Sequence, residues 1–307
     1  GNGGVYLALQ RSGALHDIKV RGVRYLHCFS VDNALCRPAD PKFIGYCLER
    51  GADCGNKVVW KSNVEEKVGV FATKNDQTCI LEYSEIPERL ATQVDESGTP
   101  LYGAANICNH FFTTAFIEDQ VLRKMRFGYH VANKKIPQAD WITGQTVTPT
   151  TPNGIKLEKF IFDVLAVSRK PVILEVSRGD EFAPVKNATG QDSAEAAAAY
   201  LSAQAVRWAS QAGARINGQR NNSICPDMPR LSEISPLLSY EGEGLEHLKG
   251  KPLQQPFLLQ DPLMPQSLSA EGNSKKRKAA GGNSSELLNP QGCARVSRPR
   301  RSCANYA

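Results

Sequence analysis

No apolar run in this chain reaches the ~18 residues a helix needs to cross a bilayer. No two of its nine cysteines (28, 36, 47, 54, 79, 108, 225, 293 and 303) form a C-x-x-C pair, so the common zinc and dithiol arrangements are excluded. Cys28 and Cys47 fall inside apolar elements and read as small core residues. The scatter suits a reducing cytoplasm, not a disulfide scaffold. Internal repeats are missing, and no signal-like stretch opens the chain, which starts with Gly and so reads as processed or as a fragment. The body also lacks a charge excess. The net charge is +6, but residues 263–307 carry eight Lys/Arg against two Glu, so that of 37 basic and 31 acidic residues, 1–262 keeps 29 of each. A neutral body argues against a nucleic-acid-binding surface.

What is present is organised around Val20–Pro41. Val23–Val31 is apolar almost throughout and reads as a strand covered on both faces, ending at Asp32. In α/β sheets ligands sit outside the carboxyl ends of strands. Asp32-Asn33 is then either a ligand or metal position or a simple strand-end turn. Ahead of it, Gly1-Asn2-Gly3-Gly4 precedes a helix Val5–Ser12. The cluster suits close backbone approach to a ligand, and equally any loop before a helix.

Past Asp32, Asp40 is a good N-cap, Pro41 suits N1, and Phe43, Ile44, Cys47 and Leu48 form a stripe stopped by Gly51. Lys57–Trp60 is a short strand. Val68–Thr73 and Thr78–Tyr83 flank a turn and predict a hairpin. Ala105–Phe112 is an apolar strand holding Asn106, Asn109 and His110, which are either satisfied core groups or ligand contacts. Pro137–Pro152 is loop-like. Leu157, Phe160, Ile161, Val164 and Leu165 have helical spacing, on which Phe160 and Phe162 cannot face the same way. Val172–Val176 is a strand and 182–187 a loop with one lysine. From 187 the character changes: a capping-box-like start at Asp192–Glu195 leads into an Ala-rich helix, 194–212, with Tyr200, Leu201, Ala205, Trp208 and Ala212 on one face. Ile234–Tyr240 and Pro256–Leu259 read as strands, and 263–307 as disordered. Within that tail, Lys275–Lys278 is a solvated charge run or a targeting signal.

Taken together, GNGGVY at 1–6, SVDNAL at 30–35, ADPKFIGYC at 39–47, RGADCGNKVV at 50–59, LEYSEI at 81–86, NICNHFF at 106–112, PNGIKLEKFIFDV at 152–164, EFAPVKNA at 181–188 and EISPLLSYEGEGLE at 233–246 resemble, in order and spacing, the eukaryotic UDP-N-acetylglucosamine (UDP-N-acetylhexosamine) pyrophosphorylases of the UDP-sugar pyrophosphorylase superfamily. The resemblance implies an α/β fold. This is a Rossmann-like nucleotidyltransferase core with a mixed sheet whose N-terminal part is missing (1–186), a small α+β C-terminal domain (187–262) and an unrelated basic tail (263–307). It implies synthesis of UDP-N-acetylglucosamine and pyrophosphate from UTP and N-acetylglucosamine 1-phosphate with Mg²⁺, in the cytoplasm, with no nucleic-acid or membrane partner. It implies that Gly1 and Asn2 meet uridine and sugar nucleotide, that Asp32 lies near phosphates and metal, that Gly69, Glu82 and Asn106 contact the sugar, that Phe160 and Phe162 wall the N-acetyl group, and that Lys186 reaches the phosphates. The family's glycine-rich triphosphate loop has no copy here, so the chain by itself is expected to be impaired in turnover; a non-catalytic sugar-nucleotide-binding fragment is the alternative.

The residue types suit that chemistry. A sugar phosphate oxygen is already ionised near neutral pH, so the attack needs no general base and no Ser/His/Asp set. It needs charge stabilisation and alignment. A carboxylate such as Asp32 suits Mg²⁺, Lys186 is a point charge, and Glu82 and Asn106 suit sugar hydroxyl and amide groups.

Overall fold

In the computed structural model of the protein, residues 1–123, 128–218 and 231–260 are described. A six-stranded mixed sheet runs in the order β10-β2-β5-β3-β4, with β1 also paired to β5. Its strands are β1 (Tyr25–Phe29), β2 (Cys54–Trp60), β3 (Val70–Lys74), β4 (Gln77–Leu81), β5 (Ala104–Thr113) and β10 (Pro171–Glu175). Only the β10–β2 pair is parallel. The long strand β5 is the axis. One edge carries β2; the other carries β1 against Asn109–Thr113 and β3 against Ala105. Between the end of β1 and the start of β3 that edge is bare of strand partners, at 106–108.

Both sheet faces are covered. On one, α1 (Val5–Arg11), α2 (Ala14–Val20) and the segments 116–122 and 161–167 enclose Tyr6, Val58, Phe112, Ile117, Phe162 and Leu165. On the other, α3 (Pro41–Glu49) packs Phe43 and Cys47 on Phe111, and Phe182 closes over Val59, Ala105 and Ile107. Burial at this scale contributes about 1.5–3 kcal/mol per large apolar side chain. The N-cap expectation holds in detail: Asp40 accepts from Lys42 N–H and Phe43 N–H, Pro41 opens α3, and Gly51 turns at φ 61°. The β3–β4 hairpin turns through Asn75 and Asp76, at φ 51° and 58°, the positive values a two-residue type I′ turn requires.

Several expectations are corrected. The first strand is shorter than Val23–Val31 and only half-buried, because β5 is its one strand partner; Val31 is 96% exposed. A second helix, α2, follows Gly13. Leu48 lies on the outer side of α3. Residues 138–139 and 146–147 form a small hairpin, β7–β8, inside the expected loop. The helix expected across 157–165 is two other elements: β9 (Gly154–Glu158), paired with β6 (His130–Lys134), and a 3₁₀ helix Ile161–Val167. Pairing with β6 overrides the helical spacing, and Leu157 points outward.

The Ala-rich helix, α4 (Ala194–Gln211), is capped by Ser193 Oγ, which accepts from Ala196 N–H. It buries Ala197, Gln204, Ala205 and Ala209, not the Tyr200–Leu201 face, since small residues permit the closest approach. With Ile234, Leu245, Leu248 and Phe257 it forms an apolar cluster separate from the sheet core. The expected strand Ile234–Tyr240 shrinks to Glu233–Ile234, paired with Leu258–Leu259. The basic tail and its Lys275–Lys278 run lie outside the described residues.

A buried ion network ties α3, the sheet and the 233–260 segment together. Lys57 Nζ, with no exposed surface, bridges the carboxylates of Asp40 and Glu181. Arg37 lies 3.6 Å from Glu181 and 2.6 Å from Glu241, and Lys42 reaches Glu241 at 2.9 Å. Tyr240 Oη donates to Pro38 O at 2.9 Å.

Candidate functional site

Three of the expected site residues, Gly69, Glu82 and Asn106, meet at the 106–108 stretch of β5. Asn106 N–H donates to Gly69 O at 2.8 Å, so the start of β3 is held against it. Gly69 is required by space: a Cβ there would sit 2.8 Å from Glu82 Oε1 and 2.9 Å from Ile80 Cγ2. The glycine thus lets the half-buried Glu82 fold back over the Gly69 backbone, whose carbonyl takes Asn106 N–H. Burial first, then the Glu85 charge, push the Glu82 carboxyl above its ordinary range, with His130 opposing. Asn106 Oδ1 accepts from Cys108 N–H at 3.0 Å, while its amide nitrogen meets the Cys108 thiol at 3.7 Å, a weak acceptor. Of its neighbours, Asn109 is a bonded core group, whereas the fully buried His110 bonds through Nδ1 and keeps Nε2 without a partner among the described residues. His27 takes Ala39 N–H on Nδ1 and donates from Nε2 to Asn109, and His110 donates from Nδ1 to Asn56.

Asp32 follows β1 at the other side of the gap. Ser30 N–H donates to Cys108 O at 3.1 Å, and Val185 N–H donates to Asp32 O at 2.9 Å. Asn33, read with Asp32 as a ligand position, instead points inward. Its amide donates to Glu181 O at 2.7 Å and accepts from Ala183 N–H at 2.9 Å. It welds the Asp32 turn to 181–185 and so sets the exposed Lys186 alongside, with Lys186 N–H bonded to Asp192 O. Cys108 links both ends. Its backbone adopts φ 53°, costly for a residue with a Cβ. Burial raises its thiol pKa; a Ser30 hydrogen bond opposes, and the charges of Asp32, Lys186 and Glu82 all reach it. Cys108 therefore lies between the Glu82–Asn106 pair and the Asp32–Lys186 pair. Among the described residues no three His, Cys, Asp or Glu side chains cluster as a metal cage, and no side-chain partner occupies Asp32.

Phe160 and Phe162 stack face to face, 4.9 Å between centroids and 18° between planes. This corrects the helical expectation that they diverge: Phe160 has extended backbone (φ −118°, ψ 154°) at the start of the 3₁₀ turn, so both rings fall on one side. Gly1 and Gly3 of the N-terminal cluster are explained here. Gly3 N–H donates to Lys159 O at 2.9 Å, and a Cβ on Gly3 would lie 2.8 Å from Phe160 N. Asn2 Oδ1 accepts from Ile161 N–H at 2.8 Å. The glycines thus approach the backbone of the phenylalanine segment.

One residue escaped the sequence reading. His130, the first residue of β6, lies 5.0 Å from Phe160 and 6.4 Å from Phe162, ring to ring, and both of its nitrogens face carboxylates. A cavity of about 400 Å³ beside it is lined by Cys79, Ile80, Glu85, His130, Phe162 and Asp163, among others. Nothing in the local sequence marks His130, because its partners come from 45 and 33 residues away.

A family model described as UTP–glucose-1-phosphate uridylyltransferase matches residues 1–229. The chain belongs to the UTP–glucose-1-phosphate uridylyltransferase family. Among its relatives, the mouse UDP-N-acetylhexosamine pyrophosphorylase-like protein 1 is 47% identical over 274 residues, 85% of this chain and 54% of the relative. The Saccharomyces cerevisiae UDP-N-acetylglucosamine pyrophosphorylase is 39% identical over 258 residues, 82% of this chain and 52% of the enzyme. A crystal structure from Entamoeba histolytica, assigned as a UDP-N-acetylglucosamine pyrophosphorylase, superposes with a TM-score of 0.72 at 33% identity, covering 85% of this chain and 62% of that one. The chain spans about half the length of the curated relatives it matches. This uridylyltransferase-family chain contains no helix, among the described residues, long and apolar enough to cross a membrane.

Proposed function

We propose that the chain carries the sugar-side half of a uridylyltransferase site that makes UDP-N-acetylglucosamine and pyrophosphate from UTP and N-acetylglucosamine 1-phosphate. The observation that carries the reading is the convergence of Gly69, Glu82 and Asn106 at the 106–108 stretch of β5, beside Cys108, whose carbonyl takes Ser30 N–H two residues before Asp32 and which the charges of Asp32 and Lys186 reach. The names of the matched relatives favour the same chemistry.

In this reading the sugar phosphate oxygen attacks the α-phosphorus of UTP and pyrophosphate leaves with the electrons of the broken P–O bond. Glu82 accepts hydrogen bonds from sugar hydroxyls, the Asn106 amide donates to the sugar, and the Phe160–Phe162 pair forms an apolar wall for the N-acetyl methyl group. The exposed Lys186 ammonium meets phosphate charge. Asn2 braces the wall through Ile161 and lies with Gly1 at the nucleotide side. Asp32, a single carboxylate without a protein partner among the described residues, fits Mg²⁺, which binds through one or two carboxylates plus substrate phosphates. Bound there, the ion would neutralise phosphate charge.

The test is calorimetric titration of the chain with UDP-N-acetylglucosamine, UDP-glucose and UTP. The expected result is saturable binding of UDP-N-acetylglucosamine, weakened at least roughly tenfold by Asn106→Ala. Failure to bind any uridine nucleotide, with the fold intact, would overturn the reading.

A further inference from the structure

His130 joins segments remote in sequence. Its Nδ1 is 2.8 Å from Glu85 Oε1 and its Nε2 is 2.8 Å from Asp163 Oδ1. An ionised carboxylate only accepts, so making both bonds requires a proton on each ring nitrogen. The two partners are themselves tied to the site. Asp163 Oδ2 accepts Phe160 N–H at 2.8 Å, which fixes the backbone where the phenylalanine pair begins. Glu85 N–H donates to Glu82 O at 2.8 Å, in the turn that carries Glu82. The imidazole also packs on both phenylalanine rings.

We propose that His130 is the positioning residue of the sugar pocket: as an imidazolium it pins the Glu82–Ile86 turn to the Phe160–Asp163 segment, and the aromatic wall holds its place only while the ring carries both protons. The inference rests on the reading of Phe160 and Phe162 as the wall of a sugar pocket.

The charges around the ring favour this state. Glu82 and Glu85 face it from the turn after β4, Asp163 from the 3₁₀ segment, and Glu158 from β9, directly across in register. Lys156 is spent on Glu158 at 2.8 Å, and Lys159 Nζ lies over the Tyr129 ring. Burial draws the His130 pKa down, but the hydrogen bonds and charges of Glu85 and Asp163 outweigh it and leave it raised. A raised histidine contributes fully below the unfolded value and loses its contribution as pH climbs through the folded one. Deprotonation then sets a lone pair against a carboxylate oxygen, and the pin opens.

Hydrogen exchange reads the pin without any ligand. Between about pH 5.5 and about pH 9, the range over which histidine charge changes, protection of the 158–166 amides, corrected for intrinsic rates, should fall roughly tenfold. His130→Gln should show the low protection at every pH. Glu85→Gln, on the more exposed partner, keeps the ring and removes one charge, so its transition should move to lower pH even where His130→Gln folds poorly. Protection that stays flat in the wild type, or a transition unmoved by Glu85→Gln, overturns the proposal.

Titration with UDP-N-acetylglucosamine and UDP-glucose across the same range separates this inference from the one beneath it. Affinity for the N-acetylated sugar should weaken roughly tenfold with rising pH while UDP-glucose changes little. Equal, pH-independent affinities alongside a working exchange switch would leave His130 as a structural tie and refute its positioning role. No binding at any pH would defeat the sugar-pocket reading, while exchange would still decide the pin.

Discussion

Replacing Lys57 by Met tests how this fold carries its buried charge. The lysine has no exposed surface, and its ammonium bridges Asp40 and Glu181, themselves 2% and 6% exposed. Met keeps the stem against Phe43, above whose ring Nζ sits at 5.3 Å, so the change isolates charge from packing. Two carboxylates are left in a dry site, with Arg37 3.6 Å from one of them. Removing one partner of a buried ion pair costs about 3–5 kcal/mol, a large part of the ~5–15 kcal/mol by which domains are stable. The pH dependence is the sharper signature. In the native protein burial pushes Asp40 up, but the hydrogen bond and charge of Lys57 and the N–H groups of Lys42 and Phe43 outweigh it, leaving Asp40 depressed. A depressed carboxylate stabilises above its unfolded value and loses that contribution as pH falls. Without Lys57 the burial push dominates, so protonation now relieves the mutant. Urea denaturation of both proteins should show a difference of about 3–5 kcal/mol near about pH 7.5 that narrows towards about pH 5. Adding Glu181→Gln should recover part of the loss. A difference below about 1 kcal/mol, or one that does not change with pH, would refute the account.

Three further outcomes are expected. His110 is fully buried, which together with the nearby His27 pushes its pKa down to about 3. The unfolded chain therefore binds a proton the native protein refuses, and stability should fall with pH below about 6.5 by up to about 1.4 kcal/mol per unit, a limb that His110→Leu flattens in urea titrations. Gly3→Ala drives a Cβ to 2.8 Å from Phe160 N and should cost about 1–3 kcal/mol in thermal or urea unfolding; an unchanged midpoint would show that the 159–161 backbone yields freely. Lys186→Ala should weaken UDP-N-acetylglucosamine binding roughly tenfold and leave uridine binding intact, and equal loss of both in calorimetry would reassign the lysine.

The local elements were legible where one short window contains their cause. Asp40-Pro41 and Gly51 delimit α3 because cap, first-turn proline and left-handed stop are all backbone requirements met by adjacent residues. The hairpin around Asn75-Asp76 was legible for the same reason. The order and spacing of the motifs from Gly1 to Glu246 were enough to indicate the family, which the match over 1–229 bears out. What the sequence alone could not decide are the outcomes set by partners far along the chain. Whether 157–165 coils or extends depends on pairing with 130–134. Which way Phe160 and Phe162 face depends on that pairing and on the Asp163 cap. Asn33 and Asp32 are adjacent, yet Asn33 is bonded into 181–183 while the Asp32 side chain has no partner among the described residues. His130 acquires its role from Glu85 and Asp163. The physical reason is common to all of these: a polar side chain must find its hydrogen-bond partner wherever folding brings one, and burial, which makes that partner obligatory, exists only once distant segments meet.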